Sequence, residues 1–559
     1  MRGRLLTVAL TLLFLGIGLT VVVAGGASAT PAAETTAPAD GELSGELPEI
    51  DGALASEHDV IQPCAAEPPD DFSDPDGGTD EVIGWVEGYW YNEPLDLAID
   101  DGLDEDELEK LSARTAARFE AMRCITVDDG LPPVEIMDRE QFQENQEQEF
   151  AAVGEEERLF DNAKMATLLM VDTETDSIDV RQQDRGDRVG GYYDFITNEI
   201  VVISENPDSL LIDEEILAHE LGHAIQDQQF NLSQYERPTV DKDKGKLGVI
   251  EGDVHLIEHE YLRACEADLW DEPCITQDDA PGAAGEPPSW GLYFKDFQPY
   301  SDGPNFVEHI YESGDGWESV NDLYDEMPDS ALYTVYPEKF GEVETVDVEV
   351  PDESTDEWER ITIEDQLTGE ELAADTIGVS GITGVFAGPD PRSESVLSIQ
   401  QLVNQDPTNP QNYAHDETEG WRGDSLVAYS TDEENKAAVW QLEWASEADA
   451  EPFVESYGEA LEIHGGEAVD GDGNIYEIGT DTFEMAAAIE HEGETVTIVT
   501  APTVDDLEDV HQGLGVDTET TDDATDTEGD DADADGAGFG VIIAAIAALT
   551  VGLLARRTN

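Results

Sequence analysis

Residues 212–230 contain the feature that most constrains this chain, a His-Glu-x-x-His pattern formed by His219, Glu220 and His223. Three consecutive acidic residues at 213–215 suit the positive end of a helix dipole, and no proline interrupts the run. On a helix, His219 and His223 project from one face, so that both imidazoles can reach one metal ion. Glu220 lies beside them, where it can take a proton from a water molecule that the metal activates.

The alternative for this pattern is coincidence, or a helix whose histidines lie only on the surface. With ten histidines in 559 residues, roughly 0.02 chance occurrences are expected. The neighbouring residues Ile216, Leu217, Leu221 and Ile225 also form an apolar face that would pack such a helix into a core. We therefore predict a metal site, with Zn²⁺ as the metal that this ligand pattern favours.

A catalytic zinc ion needs three protein ligands and one open position, so a third ligand is required. A second helical run covers residues 247–261, and within it Glu251 lies between two apolar residues. A carboxylate that points towards a core needs a partner, which a zinc ion supplies. We predict Glu251 as the third ligand, with His255 and His259 as competing candidates.

Two acidic residues are candidates for orienting the imidazole ligands, because a metal-bound histidine commonly donates its second ring N–H to a carboxylate. They are Asp227, which follows the first helical motif, and Asp253, which follows Glu251. In a chain this acidic, the alternative is that each is a solvated surface acid.

Two β-rich runs precede the metal helix, at residues 191–195 and 199–203, and the short connection between them predicts a hairpin. Zinc peptidases hold an extended substrate by backbone pairing with a strand in this position. An ordinary core hairpin is the alternative, and the sequence does not separate the two.

The charge balance excludes one class of partner. Lys+Arg total 25 against 132 for Asp+Glu, a net charge of −107, and such a surface repels nucleic acid. A hydrophobic content of 39%, with 16 Tyr, 16 Phe and 9 Trp, is nevertheless enough to build substantial cores. An acidic surface over an ordinary core fits concentrated salt, and we infer a halophilic source. A calcium-binding array is the alternative, but no Asp-x-Asp-x-Asp-Gly loop with a closing Glu is present.

The chain divides into segments by composition. Residues 1–29 read as an export signal, with arginines, a long apolar core and an Ala-Ser-Ala cleavage site, although an uncleaved anchor is the alternative. The following segments are predicted as a flexible acidic linker at 30–80, a metal-binding domain at 81–342, a second α+β domain at 343–502, an acidic Thr- and Asp-rich stalk at 516–535 and a C-terminal apolar segment at 536–559.

Four cysteines fit an oxidising environment outside the cell. Cys265 and Cys274 are close in sequence and are predicted to pair, which leaves Cys64 with Cys124; the other two connectivities stay open. Asn231 begins an Asn-Leu-Ser acceptor pattern for N-glycosylation, which predicts a surface loop that can carry a glycan.

These motifs together resemble a known family. The run His219-Glu220-Leu-x-His223-Ala-x-Gln-Asp-Gln, followed by Glu251-Gly-Asp, is similar to secreted zincin-like surface proteins of haloarchaea and some bacteria. These proteins belong with the metallopeptidases whose third ligand is Glu, and the resemblance spans most of residues 81–500. It implies an α+β fold with a zincin-like metallopeptidase domain and Zn²⁺ held by His219, His223 and Glu251. It also implies a peptide or protein substrate, cleaved with Glu220 as the general base.

One position departs from the family pattern. Tyr336 stands where His is expected in the Tyr-Pro-Glu-Lys-Phe segment, which puts a catalytic role for that position in doubt. A tyrosine can still donate a hydrogen bond to an oxyanion, so Tyr333 or Tyr336 is a candidate for this role. Ordinary core tyrosines are the alternative.

The C-terminal segment resembles the archaeal PGF-CTERM sorting tail. An acidic stalk leads to Gly-Ala-Gly-Phe-Gly at 536–540, a short apolar helix and two arginines, with Ala537 in place of the usual Pro. The resemblance implies that the tail is cut and replaced by a lipid anchor. Otherwise the segment is a membrane anchor with its arginines inside. Both readings put the body of the protein at the outer face of the cell membrane.

From the sequence we expect a cell-surface zinc-dependent metallopeptidase that hydrolyses peptide bonds through a zinc-activated water. The alternative is a non-catalytic surface or adhesion protein that retains a zincin fold. A third hypothesis is a self-processing role that acts on neighbouring surface proteins.

Overall fold

The computed structural model describes residues 64–65, 82–95, 97, 102–204, 212–267, 269–272, 274–275, 287–364, 371–431, 434–469, 473–480, 483–512 and 514. The predicted export signal, stalk and C-terminal segment lie outside these residues, as does most of the predicted linker. Among the helices of the described residues, none combines the length and the hydropathy that crossing a membrane requires.

The described chain is α+β, as predicted. Its first part contains β1 (Trp85–Val86), β2 (Tyr89–Trp90), α1 (Glu105–Arg123), β3 (Val134–Asp138), α2 (Arg139–Phe150), α3 (Glu155–Thr167), α4 (Ser177–Arg188), β4 (Gly191–Asp194), β5 (Glu199–Ser204) and α5 (Glu214–Phe230). Next come α6 (Val240–Glu266), α7 (Trp290–Ser313), α8 (Trp317–Leu323) and α9 (Leu332–Val335), with 3-10 turns at Leu232–Gln234 and Pro337–Lys339.

The remaining elements build the distal part of the chain. They are β6 (Glu359–Arg360), β7 (Ile363–Glu364), β8 (Glu371–Leu372), α10 (Gly378–Ala387), β9 (Pro389–Asp390), β10 (Glu394–Ser395), α11 (Ile399–Leu402), α12 (Asp416–Glu419), β11 (Trp421–Ser430), β12 (Lys436–Trp444), α13 (Glu447–Ile463), β13 (Gly466–Ala468), β14 (Ile475–Gly479), β15 (Glu484–Glu492), β16 (Thr495–Ala501) and α14 (Val504–Val510). An antiparallel sheet joins seven of these strands in the order β13-β14-β15-β16-β12-β11-β6.

The predicted hairpin is confirmed as β4 and β5, within a small sheet of order β3-β5-β4. β5 runs parallel to β3 and antiparallel to β4, so β4 is an edge strand. The N–H of Ile203 donates to the carbonyl of Gly190 at 2.8 Å, which makes these two residues a hydrogen-bonded pair. Because such pairs alternate along an antiparallel ladder, the N–H and C=O groups of Gly191 and Tyr193 point away from β5, and both residues are buried.

The helix predicted to carry His219 and His223 is confirmed as α5. Asp213 caps its first turn by accepting a hydrogen bond from the N–H of Glu215 at 3.2 Å, and the helix ends at Asn231, which has a left-handed φ of 52°. The apolar face of α5 is buried against α1 and α6, with Leu217 and Leu221 at 0% exposure. This burial holds the helix in the core and takes its histidines there too.

Helices α6 and α7 cross with their backbones in contact. A side chain on Gly252 of α6 would collide with the backbone of Gly303 of α7, and one on Gly303 would collide with the backbone of Gly248 and Gly252. Only glycine allows this approach. The close crossing brings α7 next to the stretch of α6 that carries Glu251.

The core continues past the predicted domain boundary at residue 342. Helix α3 packs on β11 and β12 of the distal sheet, and one hydrophobic cluster contains both Met165 and Trp440. The contacts place the described residues in one unit. The composition boundary therefore separates two stretches of sequence that share a core.

Both predicted disulfides are confirmed, Cys64–Cys124 and Cys265–Cys274. The first connects the predicted linker to the end of α1, where the N–H of Cys64 also donates to the carbonyl of Ala121 at 2.7 Å. Asn231 is exposed after α5, in agreement with a surface loop, and its glycan stays a prediction.

Three buried aspartates, Asp241 of α6, Asp375 and Asp424 of β11, lie near one another. Asp241 accepts a hydrogen bond from the N–H of Ala331 at 3.0 Å, and Asp424 accepts from the N–H of Ile377 at 2.7 Å. Asp375 accepts from Lys164 Nζ at 2.9 Å, so its charge is compensated. Burial, with the nearby charges of Asp424 and Asp375, raises the pKa of Asp241 to about 8 despite its hydrogen bonds.

We predict that Asp241→Asn flattens the pH dependence of stability. The folded pKa of about 8 lies above the ordinary value of 3.8, so the folded state binds the extra proton between these values. Stability therefore falls as the pH rises from about 4 to about 8, by up to about 1.4 kcal/mol per pH unit. The asparagine keeps the acceptor for Ala331 and cannot ionise. Denaturant unfolding at pH 5 and pH 8 in constant salt measures the difference.

Asp329→Asn is the control, because the side chain of Asp329 is 67% exposed. The prediction would be contradicted if the free energy of unfolding fell by the same amount from pH 5 to pH 8 in Asp241→Asn as in the wild type.

Candidate metal centre

Three predicted ligands meet between α5 and α6. His219 Nε2 lies 3.1 Å from His223 Nε2, and Glu251 Oε2 lies 3.6 Å from the first and 3.3 Å from the second. All three side chains are completely buried. The helical spacing brings the two histidines together, and the apolar neighbours of Glu251 turn its carboxylate towards them.

The second nitrogen of each ring has its own acceptor. His219 Nδ1 lies 2.8 Å from Glu258 Oε2, and His223 Nδ1 lies 2.9 Å from Gln226 Oε1. Both acceptors are oxygens without a proton to give, so each Nδ1 is the donor. With Nδ1 protonated, a neutral imidazole presents the lone pair of Nε2, and these lone pairs point into the space shared with Glu251.

The pKa values show how strongly negative this space is. Burial lowers the pKa of His219, but the carboxylates of Glu251, Glu258 and Glu220 outweigh it and raise the pKa to about 10. At His223 the effect of burial is larger than that of the Glu251 carboxylate, so the pKa of His223 is lowered. Burial acts to raise the pKa of Glu251, yet the two histidines hold it well below its ordinary value. Positive charge is required here, and either a proton or a cation can supply it.

The residues fit a zinc ion. Glu251 Oε2 is buried and has no hydrogen-bond donor among the described residues, although it faces two imidazole nitrogens. Two histidine nitrogens and one carboxylate oxygen, with a position left open, are the ligand set of catalytic zinc. The Nε2, Nε2 and carboxylate oxygen atoms lie within 4.8 Å of one another.

The competing ligand candidates are not part of the group formed with Glu251. His255 Nδ1 is 2.9 Å from Glu258 Oε2, so His255 reaches the Nδ1 side of His219 through this carboxylate. His219, His255 and Glu258 form a second cluster of possible ligands that does not include Glu251. His259 belongs to neither cluster of the described residues. The geometry therefore favours Glu251 as the third ligand.

Of the two predicted orienting acids, Asp253 acts indirectly. It accepts hydrogen bonds from Gln226 Nε2 at 3.3 Å and from the Tyr324 hydroxyl at 2.7 Å, and it pairs with Arg123 Nε at 2.5 Å. Gln226 in turn holds His223. Asp227 instead accepts from the Tyr193 hydroxyl at 3.0 Å, which ties α5 to β4.

Sequence reasoning missed three residues at this site. Gln226 and Glu258 orient the two imidazoles, and the hydroxyl of Tyr300 on α7 donates to Glu251 Oε1 at 3.3 Å. Glu258 follows Glu251 by two helical turns, so its position on the same face was a usable signal. Nothing in the local sequence links Tyr300 to Glu251.

The predicted general base, Glu220, lies next to the edge strand. It is completely buried, and a Cβ on Gly191, at the start of β4, would stand 3.4 Å from Glu220 Oε1. The tyrosines proposed for an oxyanion are engaged elsewhere: the Tyr333 hydroxyl donates to the Val343 carbonyl at 3.0 Å, and that of Tyr336 lies 2.9 Å from Thr418 Oγ1. These contacts favour the core interpretation for both.

Comparison with known proteins adds one match. A family model described as "Domain of unknown function (DUF8575)" matches residues 365–511, which include most of the distal sheet and none of the metal-centre residues. No curated protein and no solved structure matches the chain.

We predict that Glu258→Gln lowers zinc affinity by about 10- to 100-fold, because it weakens the acceptor that orients His219. Glu251→Gln lowers it further, since it removes the charged ligand itself. Competition with a fluorescent zinc chelator at neutral pH in high salt measures both affinities.

Glu260→Gln is the matched control. Glu260 lies on the same helix but pairs with Arg263, and its substitution leaves zinc affinity unchanged. Wild-type affinity in Glu258→Gln would show that this carboxylate does not support the centre.

Proposed function

We propose that this protein is a cell-surface metallopeptidase that uses Zn²⁺ to hydrolyse peptide bonds. The observation that carries the proposal is the buried arrangement of two imidazole nitrogens and the Glu251 carboxylate, together with the buried carboxylate of Glu220, whose charge helps to raise the pKa of His219. This combination of three ligands and an adjacent carboxylate is the minimum set for metal-assisted hydrolysis.

Zn²⁺ held by His219, His223 and Glu251 supplies a Lewis acid that polarises a carbonyl and lowers the pKa of water. Glu220 is the general base: it takes the proton from the attacking water and delivers it to the leaving amine. Glu258 and Gln226 keep both imidazoles in the tautomer that directs Nε2 to the metal. Tyr300 holds the carboxylate of Glu251 from the other side.

The outer edge of β4 supports a polypeptide substrate. The N–H and C=O groups of Gly191 and Tyr193 point away from β5, so an extended chain that reaches this buried edge can add to the sheet by backbone pairing. The edge begins at Gly191, against the general base. A substrate paired there has its backbone beside Glu220.

The proposal extends to fold and location. An edge strand before the metal helix, and a third ligand from the following helix, support a zincin-like fold for residues 81–342. The export-signal pattern, the acidic surface and the resemblance of the tail to a sorting signal support a secreted protein held at the membrane by its C-terminus.

We predict that Glu220→Gln keeps zinc and reduces kcat for casein hydrolysis in high salt by at least about 100-fold, because the general base is lost. Zinc content by metal analysis and cleavage by gel and mass spectrometry are measured on the same samples. Glu260→Gln serves as control and cleaves like the wild type.

Two outcomes separate the alternatives. Equal cleavage by Glu220→Gln and wild type would rule out the mechanism. Bound zinc without turnover on casein or a broad peptide library would favour a non-catalytic surface protein.

A further inference from the structure

The first half of α7 carries four aromatic residues on one partly buried face. Trp290, Tyr293, Phe297 and Tyr300 recur every three or four residues, so they lie on one helix face, and each is partly exposed. Neighbouring ring centroids are 5.7, 5.4 and 5.8 Å apart in chain order. These four residues form an aromatic row about 15 Å long.

Such a face is unusual for a helix at a protein surface. The solvent side of a helix is ordinarily polar, and this chain has 132 acidic residues available for it. Between Trp290 and Tyr300, the sequence has one acidic residue, Asp296. Trp290 and Tyr293 pack partly on the core, and Cζ of Arg392 lies 5.0 Å from the Trp290 ring. What stays partly exposed is an apolar strip in an otherwise highly charged chain, which is typical of a surface that contacts a ligand.

The row ends at the metal centre. The hydroxyl of Tyr300 donates to Glu251 Oε1 at 3.3 Å, and its ring lies 5.3 Å from that of His255. Further along, Cζ of Arg188 lies 5.8 Å from the Tyr293 ring. Arg188 is the last residue of α4 and stands three positions before Gly191, the first residue of β4. The aromatic row reaches the metal centre at Glu251, and β4 reaches it at Glu220.

We propose that the aromatic row is one wall of the substrate cleft, and that it selects polypeptides with apolar, above all aromatic, side chains close to the cleaved bond. This inference rests on the proposed function. A length of about 15 Å accommodates about four or five residues of extended chain. Backbone pairing with β4 does not depend on the side chains of the substrate. The aromatic row therefore supplies the selectivity for side chains that the strand edge lacks.

The test compares wild type with Phe297→Ala on two fluorogenic peptides. The peptides are copied from a casein cleavage site and differ only in carrying Phe or Ala beside the cleaved bond. Wild type prefers the Phe peptide by at least about tenfold in kcat/KM, and Phe297→Ala lowers this ratio by about tenfold. Tyr311→Ala is the matched control, because Tyr311 lies on the same helix but packs its ring against Trp317, 4.8 Å away; its ratio equals that of wild type.

The outcomes are decisive. A wild-type ratio in Phe297→Ala overturns the proposal, and so does a lowered melting temperature with the ratio unchanged, which would mean that the row is covered by the chain itself. If no peptide is cleaved, the proposed function fails. Fluorescence anisotropy of the labelled Phe peptide on zinc-loaded protein then tests, independently of cleavage, whether the aromatic row binds a polypeptide. Weaker binding to Phe297→Ala supports the row as a polypeptide site. Equal binding, or stronger binding of a soluble polysaccharide than of the peptide, overturns it.

Discussion

Two imidazole nitrogens and a carboxylate oxygen, all electron-pair donors, are held together where water does not reach. His219 and His223 present Nε2 atoms 3.1 Å apart, and the carboxylate of Glu251 closes the group with 0% exposure. Without positive charge such a group is strongly unfavourable in a core, because desolvation and repulsion act in the same direction. A proton on His219 or a bound cation removes the conflict. The surrounding structure holds these atoms in place.

A buried hydrogen-bond network carries that restraint across three helices. Gln226 holds His223 and donates to the Ile250 carbonyl of α6 at 3.0 Å, while Asp253 of α6 pairs with Arg123 of α1. Each member has partners on another helix, so a displaced side chain leaves buried polar groups unsatisfied. The glycine crossing of α6 and α7 adds Tyr300 from a third direction. The result is a rigid site on regular elements.

The charge distribution explains how a chain with a net charge of −107 keeps this site intact. Its scarce arginines are used inside: the side chains of Arg114 and Arg118 are 1% exposed and pair with Glu214 at the start of α5. In concentrated salt, exposed ion pairs are screened within a few ångströms, whereas buried pairs are screened much less. The helix that carries the histidines is thus anchored by ion pairs that salt weakens little.

By itself, the sequence determined the features that depend on local periodicity. Helical spacing predicted His219 and His223 on one face, and the apolar neighbours of Glu251 predicted its inward direction; the hairpin and the close cysteine pair Cys265–Cys274 are likewise local. Tertiary structure decided the rest. Tyr300 reaches Glu251 only because glycines let α6 and α7 touch, and this packing also brings the end of the aromatic row to the metal centre. The position of β4 at the sheet edge and the core shared across residue 342 also depend on long-range packing, for which local residue spacing carries no signal.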